Sequence, residues 1–286
     1  MSTQPLLSPA LYKVFSEIGQ HGDREIDLAY AALYLSSLCY LDLSLDSFFS
    51  HLNTLSRDLG EVHKHALHGS VSDSVALRME SLASVMHDMH EYGGGDVFRD
   101  GVQGVSLTSA IQKRRGPDIA LGILALHCAD AQGWEICGLA FSGRFLCRLS
   151  YEGERLIFDP FDGFKVLESQ DLRSLVKECL GEGAELSASY FEPIGNRDVL
   201  IRFHNMMKFC QIENEEYEEA FLNVAAMELI APDEYKLLLE SGVLLARLGH
   251  TQAAIKRLES YCEKAPTRFE RDEADLLLRD LRLMLN

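Results

Sequence analysis

One apolar helix constrains the fold of this chain more than any other feature. Seven apolar residues spread around most of its circumference: Ile119, Leu121, Ile123, Leu124, Leu126, Cys128 and Ala129. A helix that is apolar on nearly all sides lies at the centre of a domain, covered by its neighbours. Proline is common at the first position of a helix, and glycine is common just after its last turn. Pro117 and Gly133 are therefore expected to mark the two ends of this helix. The sequence therefore predicts a buried central helix between these two residues.

After Gly133 the apolar residues no longer recur at helical spacing but form short runs, which predicts an antiparallel meander of strands. Three short apolar runs follow, at residues 136–141, 145–149 and 156–158. Ser142-Gly143 separates the first two runs, and Asp159-Pro160 ends the third. Short apolar and aromatic runs bounded by turn residues are typical of β-strands. A buried helix followed by these strands indicates an α+β fold.

The first ninety residues are predicted to be helical. Apolar residues recur at helical spacing over residues 9–20, 26–41, 43–59 and 74–92, with Asp73 as the expected cap of the last helix. Gly93-Gly94-Gly95 is predicted to be a connecting loop, because no Lys-Ser or Lys-Thr follows it to complete a phosphate site. A short helix over 106–115 then leads to Pro117, and another is expected over 171–180.

The C-terminal part of the sequence repeats. Ala231-Pro232 recurs 34 residues later as Ala265-Pro266, and Ala220 recurs as Ala254. A period of about 34 residues is typical of tetratricopeptide repeats, which are pairs of antiparallel helices. We expect two repeats and a final helix over 269–285, joined to the strands by a linker at 190–195. Because about three repeats are needed for stability, this tail is predicted to pack on the core.

Composition limits the function and the environment of the chain. The net charge of −17 disfavours binding to nucleic-acid phosphates. The seven cysteines are scattered without a CxxC pair, which indicates free thiols in a reducing compartment. Residues 1–9 lack the pattern of a signal peptide, and no apolar run is long enough to cross a membrane. We therefore expect a cytoplasmic protein without membrane or nucleic-acid partners.

Three segments carry a resemblance to a known family. They are Arg114-Arg115-Gly116-Pro117, residues 138–148, and Phe158-Asp159-Pro160-Phe161-Asp162-Gly163. They resemble the SirB family of bacterial transglutaminase-like proteins with tetratricopeptide-like tails. The resemblance implies a helical N-terminal region at 1–92, a transglutaminase-like (papain-like) core with a small antiparallel sheet at 93–192, and tetratricopeptide-like helices at 196–286.

The resemblance also implies where a catalytic triad would lie. Active enzymes of this kind use a Cys at a helix N-terminus, a His base on a strand and an Asp that orients the His. Here the nucleophile position falls at Pro117 or Asp118, and neither is a thiol or a hydroxyl. The base position holds Arg144 where the family pattern has His after Gly, and the acid position retains Asp159. The expected site is therefore degenerate.

Several interpretations of these residues stay open. Arg144 and Asp159 would form an ion pair that joins two strands or binds a ligand carboxylate through the guanidinium. The alternatives are a turn-capping Asp159 and a surface Arg144. Cys128, Cys137 and Cys147 are expected to be packing residues, with Cys147 on the strand face opposite to Arg144.

No metal or cofactor is expected. The cluster His63, His65 and His68 is predicted to be solvated, since no Cys or carboxylate partner lies at ligand spacing. His87 and His90 lie one turn apart on a predicted helix, which falls short of the three or four ligands that a metal needs.

The sequence thus favours a non-catalytic protein-binding or regulatory module with a protein or peptide partner. A cysteine-dependent hydrolase or acyl transferase with a rearranged site is one alternative. An anion-sensing module that uses Arg144 is another. The sequence indicates no particular oligomeric state.

Overall fold

The computed structural model describes residues 6–40, 43–70, 72–95 and 101–284. The chain divides into two compact units. The core unit is formed by residues 23–203, and the repeat unit by residues 1–22 together with 204–286. The three predicted segments, 1–92, 93–192 and 196–286, stay a prediction, as does the packing of the tail on the core. Residues 1–5, 41–42, 71, 96–100 and 285–286, which fall in these predicted segments, lie outside the described residues.

Helices dominate the chain before the sheet. The first helix, α1 (Pro9–Gln20), belongs to the repeat unit. Before the sheet, the described part of the core unit contains a 3₁₀ turn and six α-helices, together with a π-helix and two very short strands. In chain order these are Asp23–Glu25, α2 (Leu28–Ser37), α3 (Asp46–His68), α4 (Val75–Ala83), the π-helix Ser84–Met89, β1 (Gly93–Gly94), α5 (Gly101–Val105), α6 (Leu107–Lys113), β2 (Arg115–Gly116) and α7 (Asp118–Asp130).

The predicted central helix is α7. Ten of its residues are buried, on all sides of the helix. Pro117 is the N-cap residue with an extended backbone, φ −68° and ψ 157°, so the helix begins one residue later than predicted. Gly133 follows the helix with φ +69°, a conformation that glycine adopts without strain.

Several details before α7 differ from the predictions. Helix α3 continues to His68, past the predicted end at 59, and the helix predicted over 74–92 is α-helical only as far as Ala83. Ser74, rather than Asp73, caps α4, because its hydroxyl accepts a hydrogen bond from the Leu77 N–H at 3.1 Å. Gly93 and Gly94 form β1 and pair in parallel with β2, so this segment is not a simple loop. Gly94 is needed there because a Cβ atom would lie 2.5 Å from the ring of Phe161.

The predicted meander is confirmed as the centre of a five-stranded antiparallel sheet. Its strands are β3 (Glu135–Leu139), β4 (Cys147–Tyr151), β5 (Glu154–Asp159), β6 (Lys165–Val166) and β7 (Pro193–Ile194), in the order β6-β5-β4-β3-β7. Strand β7 lies in the segment predicted to be a linker at 190–195, and it pairs with β3 through Gly138 and Ile194. A strand of two residues leaves too short a pattern for sequence analysis to detect.

Helix α8 (Ser169–Leu180) covers part of the sheet. Its residues Leu172, Leu175 and Val176 form one buried cluster with Leu139, Phe141 and Leu146 from β3 and the loop that follows it. This loop carries Ser142-Gly143-Arg144. The cluster therefore holds the predicted base position beside the end of α8.

Within the described residues, the repeat unit contains the end of α9 and five whole helices, which are α1 and the four helices that follow α9. The helices are α9 (Asn196–Glu213), α10 (Tyr217–Ile230), α11 (Lys236–Arg247), α12 (Thr251–Lys264) and α13 (Arg268–Met284). The boundary between the two units falls within α9. Helix α1 packs on α10, and the two backbones approach so closely that a Cβ on Gly19 would overlap the Leu229 carbonyl oxygen. The N-terminal helix therefore extends the repeat array.

Candidate functional site

Arg144 and Asp159 form a short ion pair. The Arg144 Nη1 donates to Asp159 Oδ2 at 2.9 Å. Asp159 is the last residue of β5 and its side chain is 3% exposed, whereas the Arg144 side chain is 24% exposed. The second carboxylate oxygen accepts a hydrogen bond from the Phe161 N–H at 2.8 Å. Both oxygens of this buried carboxylate therefore have partners.

Asp118 occupies the N-terminus of α7 and ties it to the Arg144 loop. Its Oδ1 accepts from the Ile119 N–H at 2.8 Å, and its Oδ2 accepts from the Phe145 N–H at 2.5 Å. Burial raises the pKa of Asp118, although these two hydrogen bonds oppose the rise. Pro117, just before it, contributes only its carbonyl oxygen, which accepts from the Leu121 N–H. Neither residue carries a thiol or a hydroxyl group.

The structure thus brings three of the predicted positions into one polar cluster: Asp118, Arg144 and Asp159. Burial disfavours the charge on Arg144, but Asp159, with smaller effects of Asp118 and Glu178, raises its pKa overall. The Glu178 carboxylate lies 3.9 Å from Nη2 and is exposed. Three carboxylates therefore favour the charged form of one guanidinium, and Asp159 contributes most. The Arg144 guanidinium also lies 5.0 Å from the centre of the Phe161 ring, where the ring face attracts a cation.

One thiol next to this cluster was missed by the sequence analysis. Cys179, near the end of α8, lies against Gly143, where a Cβ would meet its Cβ at 2.6 Å and its Sγ at 3.2 Å. Burial raises the pKa of Cys179, and the nearby Arg144 offsets only part of that rise. Residues 143 and 179 meet only through the packing of α8, so no sequence spacing indicates the contact.

The thiols considered from sequence have raised pKa values. Burial raises the pKa of Cys128 to about 12, and it also raises those of Cys137 and Cys147. Cys147 pairs with Phe158 across the sheet, and both are fully buried. A thiol with a raised pKa carries little of the nucleophilic thiolate at neutral pH.

Arg114 and Arg115, which carry part of the family resemblance, hold the segment before α7. Arg114 has a left-handed backbone with φ 57°, and its Nη1 donates to Tyr92 Oη and to His51 Nε2, both at 2.5 Å. Burial and the Arg114 charge lower the pKa of His51 to about 4, so the imidazole stays neutral and accepts this bond. The Arg115 guanidinium donates to the Glu91 and Arg114 carbonyl oxygens.

The predicted solvated histidine cluster is wrong for His63. His63 lies inside α3 and is 8% exposed, with its Nδ1 3.3 Å from Ser81 Oγ and its Nε2 3.4 Å from Asp73. The apolar face of α3 continues past residue 59, and this continuation buries the ring.

The side chains of the other predicted pair, His87 and His90, contact different partners. His90 Nε2 lies 2.9 Å from Asp58, whereas His87 Nδ1 lies 3.0 Å from the Tyr92 carbonyl oxygen. Among the residues that the structure describes, no group of His, Cys, Asp and Glu side chains converges as metal ligands do. Within the same ranges, no helix is long and apolar enough to cross a membrane.

Comparison with protein families identifies the core. The profile described as Transglutaminase-like superfamily matches residues 49–205, more than half of the chain, and this span contains Asp118, Arg144 and Asp159. The chain belongs to this superfamily. A second profile, described as Tetratricopeptide repeat, matches residues 207–279 and confirms the predicted repeats.

Curated relatives of this transglutaminase-like chain are bacterial proteins. A UPF0162 protein of Xylella fastidiosa is 25% identical over 164 residues, which cover 56% of this chain and 58% of the relative. Protein SirB1 of Salmonella typhimurium is 24% identical over 161 residues, covering 56% and 60%. A UPF0162 protein of Buchnera aphidicola is 21% identical over 245 residues, covering 84% and 89%. This chain thus matches about three fifths of the length of the Xylella relative. All three relatives agree with the SirB family assignment.

Proposed function

We propose that this chain is a non-catalytic member of the transglutaminase-like superfamily that acts by binding another protein. The observation that carries this proposal is the 2.9 Å ion pair between Arg144 and Asp159. It occupies the position where the resemblance implies a His–Asp couple. Arginine stays protonated at every working pH, so Arg144 has no lone pair with which to take a proton from a nucleophile.

The nucleophile position supports the same proposal. Both carboxylate oxygens of Asp118 are engaged by backbone N–H groups, of Ile119 and Phe145. A carboxylate at a helix N-terminus interacts favourably with the helix dipole, which gives Asp118 a structural role. Two of the three triad positions therefore hold groups that stabilise the fold and supply no catalytic chemistry.

A cysteine-dependent enzyme would need a thiol beside Arg144, and Cys179 is a candidate because it lies against Gly143 of the same loop. Its raised pKa and the absence of an imidazole base at position 144 both oppose that role. An anion sensor is disfavoured by the surroundings of Arg144, because Asp159 already neutralises the guanidinium and the nearby Asp118 and Glu178 would repel an anion. A bound anion would have to displace Asp159, whose side chain is buried.

Thiol labelling tests the catalytic part of the proposal. The full chain is treated with iodoacetamide at pH 7, and the labelling rate of each cysteine is followed by mass spectrometry. We expect Cys179 to react no faster than an ordinary free thiol, and the buried Cys128 and Cys147 to react more slowly. Rapid labelling of Cys179, together with glutamine-dependent amine incorporation that Cys179→Ser abolishes, would establish the enzyme instead.

Protein binding is supported by the repeat unit. Tetratricopeptide arrays present extended surfaces to partners. Several large apolar side chains of α9, α11 and α13 are exposed, among them Phe209 at 59%, Val243 at 44% and Leu276 at 63%. Large exposed apolar residues of this kind mark interaction surfaces when they lie together. The free thiols fit a reducing compartment, so we propose a cytoplasmic location.

Comparative affinity capture tests the binding part. The wild-type chain and the variants Phe209→Asp and Val243→Asp are immobilised and exposed to the same bacterial extract. We expect one or more proteins to be retained by the wild type and lost from these variants, while Lys256→Asp, an exposed change on α12, retains them. Identical captured proteins on all four chains would contradict this role for the repeat surface.

A further inference from the structure

Helix α13 carries a stripe of exposed apolar side chains on the side opposite to its buried face. Phe269, Leu276 and Leu283 form this stripe and are 84%, 63% and 73% exposed. They are seven residues apart, which is close to two full turns of a helix, so they lie on one side of α13. Ala274 and Leu278, each two residues from Leu276, are buried where α13 packs on α12. Leu276 therefore points away from the packed side of the helix.

The charge of α13 is almost balanced, although the whole chain carries a net charge of −17. The helix sequence contains four arginines and five acidic residues. Two copies of this helix can therefore approach each other without the strong repulsion that two acidic surfaces would cause. Contact between the two stripes would be favourable by about 25 cal/mol per Å² of apolar surface that it removes from water.

The spacing of the stripe is symmetric about Leu276, which suits pairing with a second copy of the same helix. Phe269 lies seven residues before Leu276, and Leu283 lies seven residues after it. In an antiparallel pair centred on Leu276, Phe269 of each copy lies level with Leu283 of the other, and the two Leu276 side chains meet. A two-fold interface requires a surface that is complementary to itself in this way.

Two charged residues beside the stripe favour the antiparallel arrangement over a parallel one. Asp272 and Arg279 lie on the same edge of the stripe, four residues before and three residues after Leu276. An antiparallel pair places Asp272 of each copy almost level with Arg279 of the other, which gives two ion pairs. A parallel pair would place Asp272 beside Asp272 and Arg279 beside Arg279, and like charges oppose association.

Both of these side chains are available for contacts with a second copy. Asp272 lies 3.8 Å from Arg268 in a pair whose side chains are 63% and 89% exposed, and exposed pairs of this kind contribute little to stability. Arg279 is exposed, and it forms no ion pair with another residue that the structure describes.

We propose that the chain forms a two-fold dimer through α13, with the two helices antiparallel and Leu276 at the centre. The helix has 17 residues and is about 25 Å long, so the contact is smaller than the roughly 1,200 Å² that stable complexes bury. Asp280, on the other edge of the stripe, gains no cationic partner in this arrangement. The dimer is therefore weak and forms at micromolar concentrations. It does not use Phe209 or Val243, which the protein-binding proposal assigns to another partner.

Sedimentation equilibrium of the full chain at a series of micromolar concentrations tests the proposal. We expect the average mass to rise with concentration from the 32.0 kDa of one chain towards twice that value. Leu276→Glu places a charge at the centre of the contact and is expected to weaken dimerisation about tenfold or more. Val243→Glu, an exposed change on α11, is the matched control and is expected to leave dimerisation unchanged. A mass that stays at one chain throughout, or equal effects of the two changes, would overturn the proposal.

An exchange of charges tests the antiparallel arrangement separately. Arg279→Asp removes both ion pairs and is expected to weaken dimerisation about fivefold. The double variant Asp272→Arg/Arg279→Asp exchanges the two charges and is expected to restore dimerisation to the wild-type level. Circular dichroism confirms that each variant is folded. An equally weak dimer in the single and double variants would overturn the assignment of these residues to one symmetric contact.

The dimer and the binding of another protein can fail independently of each other. Leu276→Glu is expected to retain the proteins that the wild type captures from bacterial extract, and Phe209→Asp is expected to dimerise normally. Loss of captured proteins in Leu276→Glu would show that α13 binds the other partner, which would overturn its assignment to the dimer.

Discussion

Truncation of Arg144 to alanine is expected to destabilise the core unit by about 3 kcal/mol. Removal of one partner of a buried ion pair costs about 3–5 kcal/mol, because the remaining charge stays buried without compensation. Asp159 fits this description, since its side chain is 3% exposed and would retain only the hydrogen bond from Phe161. The Arg144 side chain is 24% exposed, so water would enter the space it leaves, which favours the lower end of the range.

Urea unfolding followed by tryptophan fluorescence measures this effect. Trp134 is the only tryptophan of the chain, and it is buried in the core unit, so its emission reports on the unit that contains the ion pair. The free energy of unfolding falls by about 2 kcal/mol per molar urea, so a loss of about 3 kcal/mol in stability lowers the urea concentration at the unfolding midpoint by roughly 1.5 M. Glu178→Gln is the matched control, because this exposed carboxylate is expected to contribute less than about 0.5 kcal/mol.

A double-mutant cycle separates the pair from the individual side chains. Arg144→Ala, Asp159→Asn and the double variant are compared with the wild type, and the coupling energy is expected to exceed about 1 kcal/mol. A loss of less than about 0.5 kcal/mol in Arg144→Ala, or a coupling energy near zero, would refute the argument that Arg144 compensates a buried charge.

Two other changes are expected to affect the core unit. Gly94→Ala should destabilise it by about 2 kcal/mol or more, because the new methyl group overlaps the Phe161 ring, whereas Gly183→Ala, which meets open space, should stay within about 0.5 kcal/mol. Thermal denaturation compares the two variants, and equal stabilities would contradict this packing. Because burial and Arg114 lower the pKa of His51 from 6.5 to about 4, the unfolded state binds more protons between these values, and stability falls as the pH is lowered through this range. The difference between the urea midpoints at pH 7 and pH 5 should be smaller in His51→Gln than in the wild type. The same difference in both proteins would show that His51 does not cause the pH dependence of stability.

The elements predicted best from sequence are those with long or strongly bounded apolar patterns. Helix α7 is predicted because its apolar residues cover most of its circumference, which only a central helix tolerates. Asp159 is placed at a strand end because Asp-Pro terminates the run at 156–158. The 34-residue period likewise predicts the repeats, which the family comparison confirms. These signals are local, so a single sequence contains them completely.

Contacts between distant segments could not be predicted in the same way. The hydrogen bond from the Phe145 N–H to Asp118 joins residues 27 positions apart, and no residue pattern indicates it. The meeting of Cys179 with Gly143 depends on how α8 packs on the sheet. The burial of His63 is not evident from the cluster of three histidines, because only this one of the three lies on the buried face of α3.

The grouping of α1 with the C-terminal helices limits how this protein can be divided experimentally. A fragment cut at the limits of the repeat match, 207–279, lacks the helix that packs on α10 through Gly19. Such a fragment leaves the apolar surface of α10 uncovered and should aggregate. Addition of a synthetic peptide of residues 6–22 should restore its solubility, so that two separate polypeptides reconstitute the repeat array without a covalent link.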